Sequence, residues 1–395
     1  SEMCIRDRSG GDGGMKWEKV KLGDIATFSN GINFNKTAYA KGIKLIGVSN
    51  FGDRFYPDCS QLQEVKKDIV RLEDCLRNGD IVFVRSNGNK ELVGRCMLVK
   101  NPTERVTYSG FCIRARLNDT DRYDPVYFTY YFKSKAFRRA VSGTAVGANI
   151  QNLSQARLSN HECRIPSIEV QHRIADILSV YDDLIENNQK QIKLLEEAAQ
   201  RLYKEWFVDL RFPGHENTKI VDGVPEGWSR GLLKELISVN YGKDHKKAPD
   251  DGNIPVYGSG GLMRKCNKSL FSGEAVLIPR KGSLNNIMYV DEIFWTVDTM
   301  FYATMKQPHT AVFVYFFVKA FDMYSMNIGA AVPSMTAKIL DAMDVVIPDK
   351  ETLEKFDKIT KTYFNKIKTL QGQNERLKIA RDLLLAKLMS GEMEM

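Results

Sequence analysis

The sequence predicts a mixed α/β (α+β) chain in which two globular domains alternate with two long helices paired as an antiparallel coiled coil, the whole a pseudo-twofold internal repeat. Three observations predict it. Ordered segments recur once along the chain, an unbroken heptad-like row follows each copy, and the stretches between them mix short apolar strands with single helices.

The recurrence has three parts. Trp17-Glu-Lys-Val-Lys-Leu22-Gly-Asp24-Ile25, with Gly31 and Lys36 beyond it, returns as Trp228-Ser-Arg-Gly-Leu-Leu233-Lys-Glu235-Leu236, with Gly242 and Lys247 beyond it, at identical spacing. Gly79-Asp-Ile-Val-Phe-Val-Arg85-Ser-Asn-Gly88 returns as Gly273-Glu-Ala-Val-Leu-Ile-Pro-Arg280-Lys-Gly282, with a one-residue slip assigned to Pro279. Gly147-Ala-Asn-Ile150-Gln-Asn-Leu153, leading to Leu158, Ile165 and Pro166, returns as Gly329-Ala-Ala-Val332-Pro-Ser-Met335, leading to Leu340, Ile347 and Pro348. Any one match could be chance; three in order point to a duplication. The period is far too long for a solenoid.

Within the first copy, apolar runs at Lys44–Val48, Ile81–Val84, Met97–Val99 and Phe111–Leu117 read as strands, and Pro125–Val141 as a helix. In the second, Val256, Ala275–Ile278, Ile287–Val290 and Ile293–Met305 read as strands, and Ala311–Tyr324 as a helix. After Pro166 the row Ile174, Leu178, Tyr181, Ile185, Asn188, Ile192, Leu195, Ala199, Leu202, Trp206 steps by four and three. After Pro348 the row Phe356, Thr360, Tyr363, Ile367, Leu370, Asn374, Leu377, Arg381, Leu384, Leu388 does the same. A helix of about 40 residues spans about 60 Å. A buried Asn costs stability unless paired and is a known register device. Setting Asn188 opposite Asn374 in an antiparallel pair also brings Ile174 to Leu388, Leu178 to Leu384, Ile185 to Leu377 and Trp206 to Phe356.

The expected divisions are a non-native or disordered leader at 1–14, a domain at 15–165, a helix at 166–212, a domain at 213–347 and a helix at 348–391. The leader, SEMCIRDRSGGDGG, is polar and Gly-rich and matches nothing downstream, so Met15 is the expected natural start.

Composition narrows the function. The chain has 395 residues, 43% hydrophobic and 27% charged, with a net charge of +8. That sign suits a polyanionic partner. Seven cysteines without a C-x-x-C pair argue against structural zinc and a disulfide framework, and free thiols fit a reducing cytoplasm. No apolar run of about 18 residues suggests a membrane span. Catalytic signatures are missing. Asn101-Pro102-Thr-Glu fails the N-P-P-[YF] methylase pattern, no G-x-x-x-x-G-K-[ST] loop occurs, and Gly258-Ser-Gly-Gly261 reads as a turn. The five histidines lack metal spacing, and no E-x-K follows the acidic residues near Pro348. What remains are basic turns where strands end: Arg85-Ser-Asn-Gly88 with Lys90, Arg280-Lys-Gly-Ser283 with Asn285 and Asn286, and Lys243-Asp-His-Lys-Lys247. Arg pairs bidentately with guanine, Asn with adenine, and Lys suits phosphates.

The tandem pattern resembles the specificity subunit of type I restriction–modification enzymes. The residues that carry it are the W-x4-L-[GK]-[DE]-[IL] openings at Trp17 and Trp228, the Gly79-Asp-Ile strand, the Gly147–Leu153 segment, Ile165-Pro-Ser-Ile-Glu-Val-Gln171 before a long helix, and Val224-Pro-Glu-Gly-Trp228. The second copy departs from the pattern, with Leu353 where the first has Gln171 and Pro333 after Val332. The resemblance implies two target recognition domains, each reading part of a bipartite site in double-stranded DNA. It implies long helices that set the spacing and carry the modification (methyltransferase) subunits, two being expected, and a separate restriction/translocase subunit. S-adenosylmethionine is then expected on the modification subunits, with no cofactor, metal or catalytic residue in this chain. The loops of the two copies differ, so an asymmetric target is expected, with half-sites about one helical turn apart, roughly 34–36 Å.

On that resemblance the residues expected at DNA are, in the first copy, Lys36, Asn50, Arg54, Arg85, Ser86, Asn87, Lys90, Thr144 and Asn149. In the second they are Lys243, Lys246, Lys247, Tyr257, Ser259, Arg280, Lys281, Ser283 and Asn285. Asn188 and Asn374 are expected to key the helix pair. The alternatives are a methylation-only or related phage-defence complex, a self-contained fused restriction–modification enzyme, and a helical scaffold with two protein-binding domains.

Overall fold

A computed structural model of the chain describes residues 17–52, 54–89, 91–141, 151–326 and 334–393. The leader at 1–14 and the candidates Lys90, Thr144 and Asn149 lie outside the described residues. The chain forms two compact units, Ser1–Asn188 with Gly372–Met395, and Gln189–Gln371.

In the first unit a four-stranded antiparallel sheet runs in the order Ala26–Asn30, Cys112–Leu117, Ile81–Val84, Cys96–Leu98. Its central strand is buried on both faces, so the period of two splits one apolar run between two cores. Ile81 and Phe83 pack with the helical side, while Val82 and Val84 face a second core with Ile46, Met97, Val106 and Tyr108. A three-stranded sheet, Gln63–Val65, Tyr39–Ile46 and Val106–Tyr108, lies on that second side. Pro125–Lys133 is helical because Asp124 caps it, accepting from the Val126 and Tyr127 N–H groups, and Pro125 fills a position that needs no donor. The expected single helix to Val141 is two, broken at Ser134. Its backbone turns extended and its hydroxyl accepts from Phe137 N–H to start Lys135–Val141.

The second unit repeats this plan within itself. Glu18–Lys21 pairs antiparallel with Glu162–Ile165, and Ser229–Leu232 with Asp344–Ile347. In both, the residue after Trp faces the residue before Pro. Leu22 N–H then donates to His161 O at 2.9 Å, and Leu233 N–H to Met343 O at 2.8 Å. The alternation of the central strand recurs too: Val276 and Ile278 face one core, Ala275 and Leu277 the other.

Several details differ from the sequence-based expectation, and the helix expected at Ala311–Tyr324 ends at Lys319. Val84 lies opposite Cys112 and Pro279 opposite Met300, so Pro279 is in step and the extra residue falls before the strand. The stretches expected as Ile287–Val290 and Ile293–Met305 are the strands Met288–Thr296 and Met300–Met305, parted by a turn in which Met300 N–H reaches Val297 O. That first strand also replaces two strands of the other unit. Cys96–Leu98 and Val106–Tyr108 are separated there by Asn101, at φ 40°, and Pro102, which has no N–H for a ladder. Unit 2 therefore has one six-stranded sheet where unit 1 has two smaller ones.

The long helices are Ile168–Tyr203, continued by a π turn at Lys204–Val208, and Lys350–Ser390. In unit 1 their segments run antiparallel, with Ile174, Ala175, Leu178, Leu385 and Leu388 in the main core. Asn188 Nδ2 donates to Asn374 Oδ1 at 2.9 Å, both residues being buried. In unit 2 the Trp206 and Phe356 rings lie 5.9 Å apart. Asn188→Leu alone is expected to cost about 1–3 kcal/mol by stranding a buried amide, whereas the double Leu variant should fall near wild type. Urea titration of the three proteins checks this, and equal losses in single and double variants would refute it.

Gln171 shows what its replacement in the second copy changes. It is buried, accepts from Asp124 N–H and donates to Pro166 O at 3.0 Å each, tying helix start to helix start. Leu353 simply joins the apolar core. Among the described cysteines none is bonded to another. Burial pushes Cys96 and Cys163 up to about 11 and Cys112 up to about 12. At pH 8 about one in a thousand or fewer of these thiols is ionised, so an aromatic disulfide reagent should leave all three untouched until urea unfolds the chain. Rapid labelling of the native protein at any of them, mapped by mass spectrometry, contradicts this.

Candidate nucleic-acid interface

Each unit ends its central strand in a basic residue bonded to the turn that leads into a neighbouring strand, Cys112–Leu117 in unit 1 and Met300–Met305 in unit 2. In unit 1 the Arg85 and Ser86 N–H groups both bond Phe111 O, at 2.8 and 3.3 Å, and Arg85 O accepts from Leu153 N–H at 2.9 Å. In unit 2 the Arg280 and Lys281 N–H groups bond Thr299 O at 2.8 and 3.1 Å, and Arg280 O accepts from Met335 N–H at 2.9 Å. The side chains match as well. Arg85 Nη1 donates to Gly110 O and Arg280 Nη1 to Asp298 O, each at 3.2 Å. Arg280 also lies over the Tyr241 ring, 5.5 Å from its centre.

The loop after the opening strand of each main sheet, Ala26–Asn30 in unit 1 and Ile237–Tyr241 in unit 2, borders the same turn. Gly31 N–H bonds Cys112 O and Gly242 N–H bonds Met300 O. A Cβ on Gly31 would collide with the Tyr108 and Ser109 carbonyl oxygens, and one on Gly242 with that of Val297, so the duplicated glycines are required by close backbone approach. Beyond Gly31, exposed Lys36 opens a short turn capped by the Asn35 side chain. Beyond Gly242 come exposed Lys243, Lys246 and Lys247, the last two on a turn capped by Asp244. Lys243 is fixed by its own N–H to Thr296 O and by the Trp295 indole, which donates to Lys243 O at 3.1 Å.

The remaining candidates divide by what their side chains already do. Asn50 Oδ1 accepts from Gly47 N–H at 2.8 Å, and Asn87 Oδ1 from Asn89 N–H at 2.7 Å. Asn285 is held at both ends, donating to Asp322 Oδ1 and accepting from Met323 N–H. Tyr257 donates its hydroxyl to Glu292 at 2.5 Å, and burial together with that carboxylate holds the phenol well above its ordinary range. Arg54 pairs with Asp58 at the surface. Ser86 and Asn87 form a two-residue ladder with Gln151–Asn152. Ser259 lies at the second-copy turn, where its carbonyl accepts from Asn286 Nδ2, and exposed Ser283 caps the same turn through its carbonyl to Asn286 N–H. The structure thus gathers Lys243, Arg280, Lys281, Ser259 and Ser283 around one sheet end, and Arg85, Ser86 and Asn87 around its counterpart, with Lys36 on the turn that opens the strand Tyr39–Ile46. Asn50 and Arg54 belong to a separate loop.

The turn itself is absent from the sequence-based expectation. The strand expected at Phe111–Leu117 starts at Cys112, and Phe111 is 63% exposed at the turn's tip. A signal exists in the sequence: Phe111-Cys-Ile breaks the alternation of a half-buried strand, and Gly110 precedes it. Among the described residues no group of three or more His, Cys, Asp or Glu is placed to hold a metal, and no helix is long and apolar enough to cross a membrane.

Two α/β units with the same plan, each with a basic turn at a sheet end and each containing segments of both long helices, define a tandem two-domain protein. Residues 15–197 and 225–378 match the model of the type I restriction modification DNA specificity domain, and the chain belongs to that family. It is similar to the type I restriction enzyme MjaIX specificity subunit of Methanocaldococcus jannaschii, 26% identical over 342 residues, 76% of this chain and 75% of that one. It is also similar to the type I restriction enzyme HindI specificity subunit of Haemophilus influenzae, 23% identical with 95% of this chain and 99% of the relative covered. The crystal structure of the type I restriction–modification system S subunit from M. genitalium shares the fold, with a TM-score of 0.57 at 18% identity over 95% of this chain and 97% of that one.

Proposed function

We propose that this chain is the sequence-reading subunit of a type I restriction–modification complex. Residues 15–165 and 213–347 are its target recognition domains, each reading one half of an asymmetric bipartite site in double-stranded DNA. Residues 166–212 and 348–391 are spacer helices that dock two modification subunits. The observation that carries this reading is the family match, which falls on both copies of the repeat. Methyl transfer belongs to the modification subunits, which bind S-adenosylmethionine, and cleavage to a restriction/translocase subunit. The complex works in the cytoplasm.

The physical basis is a division of labour among the basic residues. Exposed Lys36, Lys243, Lys246, Lys247 and Lys281 contact phosphates, which hold the protein on the duplex without telling one sequence from another. Sequence is read at the two sheet ends. Different loops on a shared frame give different half-sites.

The test is to express the chain with its modification subunit in a host lacking other adenine methylases and sequence the methylome. Methylation at one asymmetric split motif, lost when this chain is omitted, is expected. Methylation indifferent to this chain would sink the proposal. Gel shifts of the complex on that motif, intact and with its gap lengthened by one base pair, give the second check, and the lengthened site should bind as weakly as unrelated DNA.

A further inference from the structure

We propose that the base-reading elements are the tips of a turn that recurs in both units, Gly110–Phe111 and Asp298–Thr299, and that Arg85 and Arg280 are positioning residues that hold these turns. This rests on the reading of the chain as a DNA-specificity subunit.

The frame of the turn is the same in both units. Cys112 N–H closes it onto Ser109 O at 2.8 Å, and Met300 N–H onto Val297 O at 3.0 Å. One flank is fixed by the N–H groups of the arginine and of the residue after it, both on the second tip carbonyl, and by one guanidinium bond to the first. The other flank is fixed by the loop after the opening strand, through Gly110 N–H to Ile32 O at 2.7 Å in unit 1 and Lys243 N–H to Thr296 O at 2.9 Å in unit 2. A guanidinium committed to a carbonyl of its own domain has given up part of the fork that bidentate guanine recognition needs. The same commitment in both copies describes a structural device.

The tips carry different chemistry on this common frame. Phe111 presents an aromatic ring to solvent. A ring held on a rigid turn between basic segments suits a thymine methyl or a partly unstacked base step. Asp298 is exposed, with Lys243, Arg280 and Lys281 on the segments that flank it. A carboxylate is repelled by phosphates, but it accepts from the amino group of cytosine at a base edge. Thus the tip that differs between the units sits on a turn held by matching hydrogen bonds in both, as a discriminating contact requires.

The test uses the full chain with its modification subunit and a duplex library randomised at every specified base of the bipartite site, read by sequencing the methylated fraction. Phe111→Thr should reduce preference at one or two adjacent positions of one half-site by about tenfold or more, with the other half-site unchanged. Asp298→Asn should do the same in the other half-site, and Arg280→Lys should blur the positions that Asp298→Asn alters. The untouched half-site reports in each case that the variant is folded and assembled. Unchanged preferences, or a uniform loss over all sequences, overturn the proposal. So does a guanine preference that Arg280→Lys removes at a position indifferent to Asp298→Asn, since Arg280 would then be a reader. A wild-type complex with no motif at all fails the underlying reading first and this assignment with it.

Discussion

Arg381→Met should destabilise the first unit by about 3–5 kcal/mol, the range for removing one partner of a buried ion pair. Arg381 lies on the second long helix with only 12% of its side chain exposed, and it pairs with Asp182 on the first, 6% exposed. Asp182 accepts a second bond from the Tyr130 hydroxyl at 2.6 Å, and Arg381 also reaches Asp382. Burial and the neighbouring carboxylate both push the Tyr130 phenol far up, so it stays a donor across the accessible pH range. Without the guanidinium, a carboxylate remains in the core with one hydroxyl for company. The penalty comes from that stranded charge more than from the missing attraction. Replacing both partners, with Asp182→Leu beside Arg381→Met, should therefore recover most of the loss. Urea unfolding midpoints for the two single variants and the double form the test. A double variant as weak as Arg381→Met alone would show that packing, not charge, is what the arginine provides.

This pair also marks the limit of what the sequence can tell. The four–three stepping row contains Arg381 and runs unbroken through it, because periodicity reports which face a residue occupies and not what it meets there. Asp182, one residue past Tyr181 in the row of the first helix, gives no sign of burial in the sequence. Sequence is a better guide where one physical rule decides the outcome. An Asn within an apolar row needs a partner, and Asn188 and Asn374 are hydrogen-bonded. A duplicated glycine beside a strand needs close backbone approach, and Gly31 and Gly242 both have it. It is a poorer guide where long-range contacts decide. Pro102 splits a strand in one unit whose counterpart in the other runs through, so similar sequences give sheets of different size. At the sheet ends, basic and amide residues are legible as surface donors, but their engagement within the domain is not. Asn50, Asn285 and Tyr257 satisfy partners tens of residues away or across a tight turn, and only coordinates separate such groups from the lysines that point to solvent.

Those lysines define the other large expected effect. Changing Lys243, Lys246 and Lys247 together to Gln should flatten the dependence of log K on log salt by about 2.7, at about 0.9 for each phosphate no longer neutralised. The affinity deficit should be about 500-fold at 0.1 M salt and should vanish as the salt concentration approaches 1 M. All three side chains are exposed, and the backbone of the turn that carries two of them is capped by Asp244 without their help. Stability should therefore barely move. Because phosphates repeat at every base pair, specific and unrelated duplexes should weaken by the same factor, leaving the ratio between them intact. Titrating the complex against both duplexes at four salt concentrations separates the two roles a lysine could have. A changed ratio would make these residues readers of sequence. An unchanged salt slope would place the Gly242–Lys247 loop away from the DNA, and the sheet end of the second unit with it, since Lys243 is bonded to the strand that leads into the turn at Asp298.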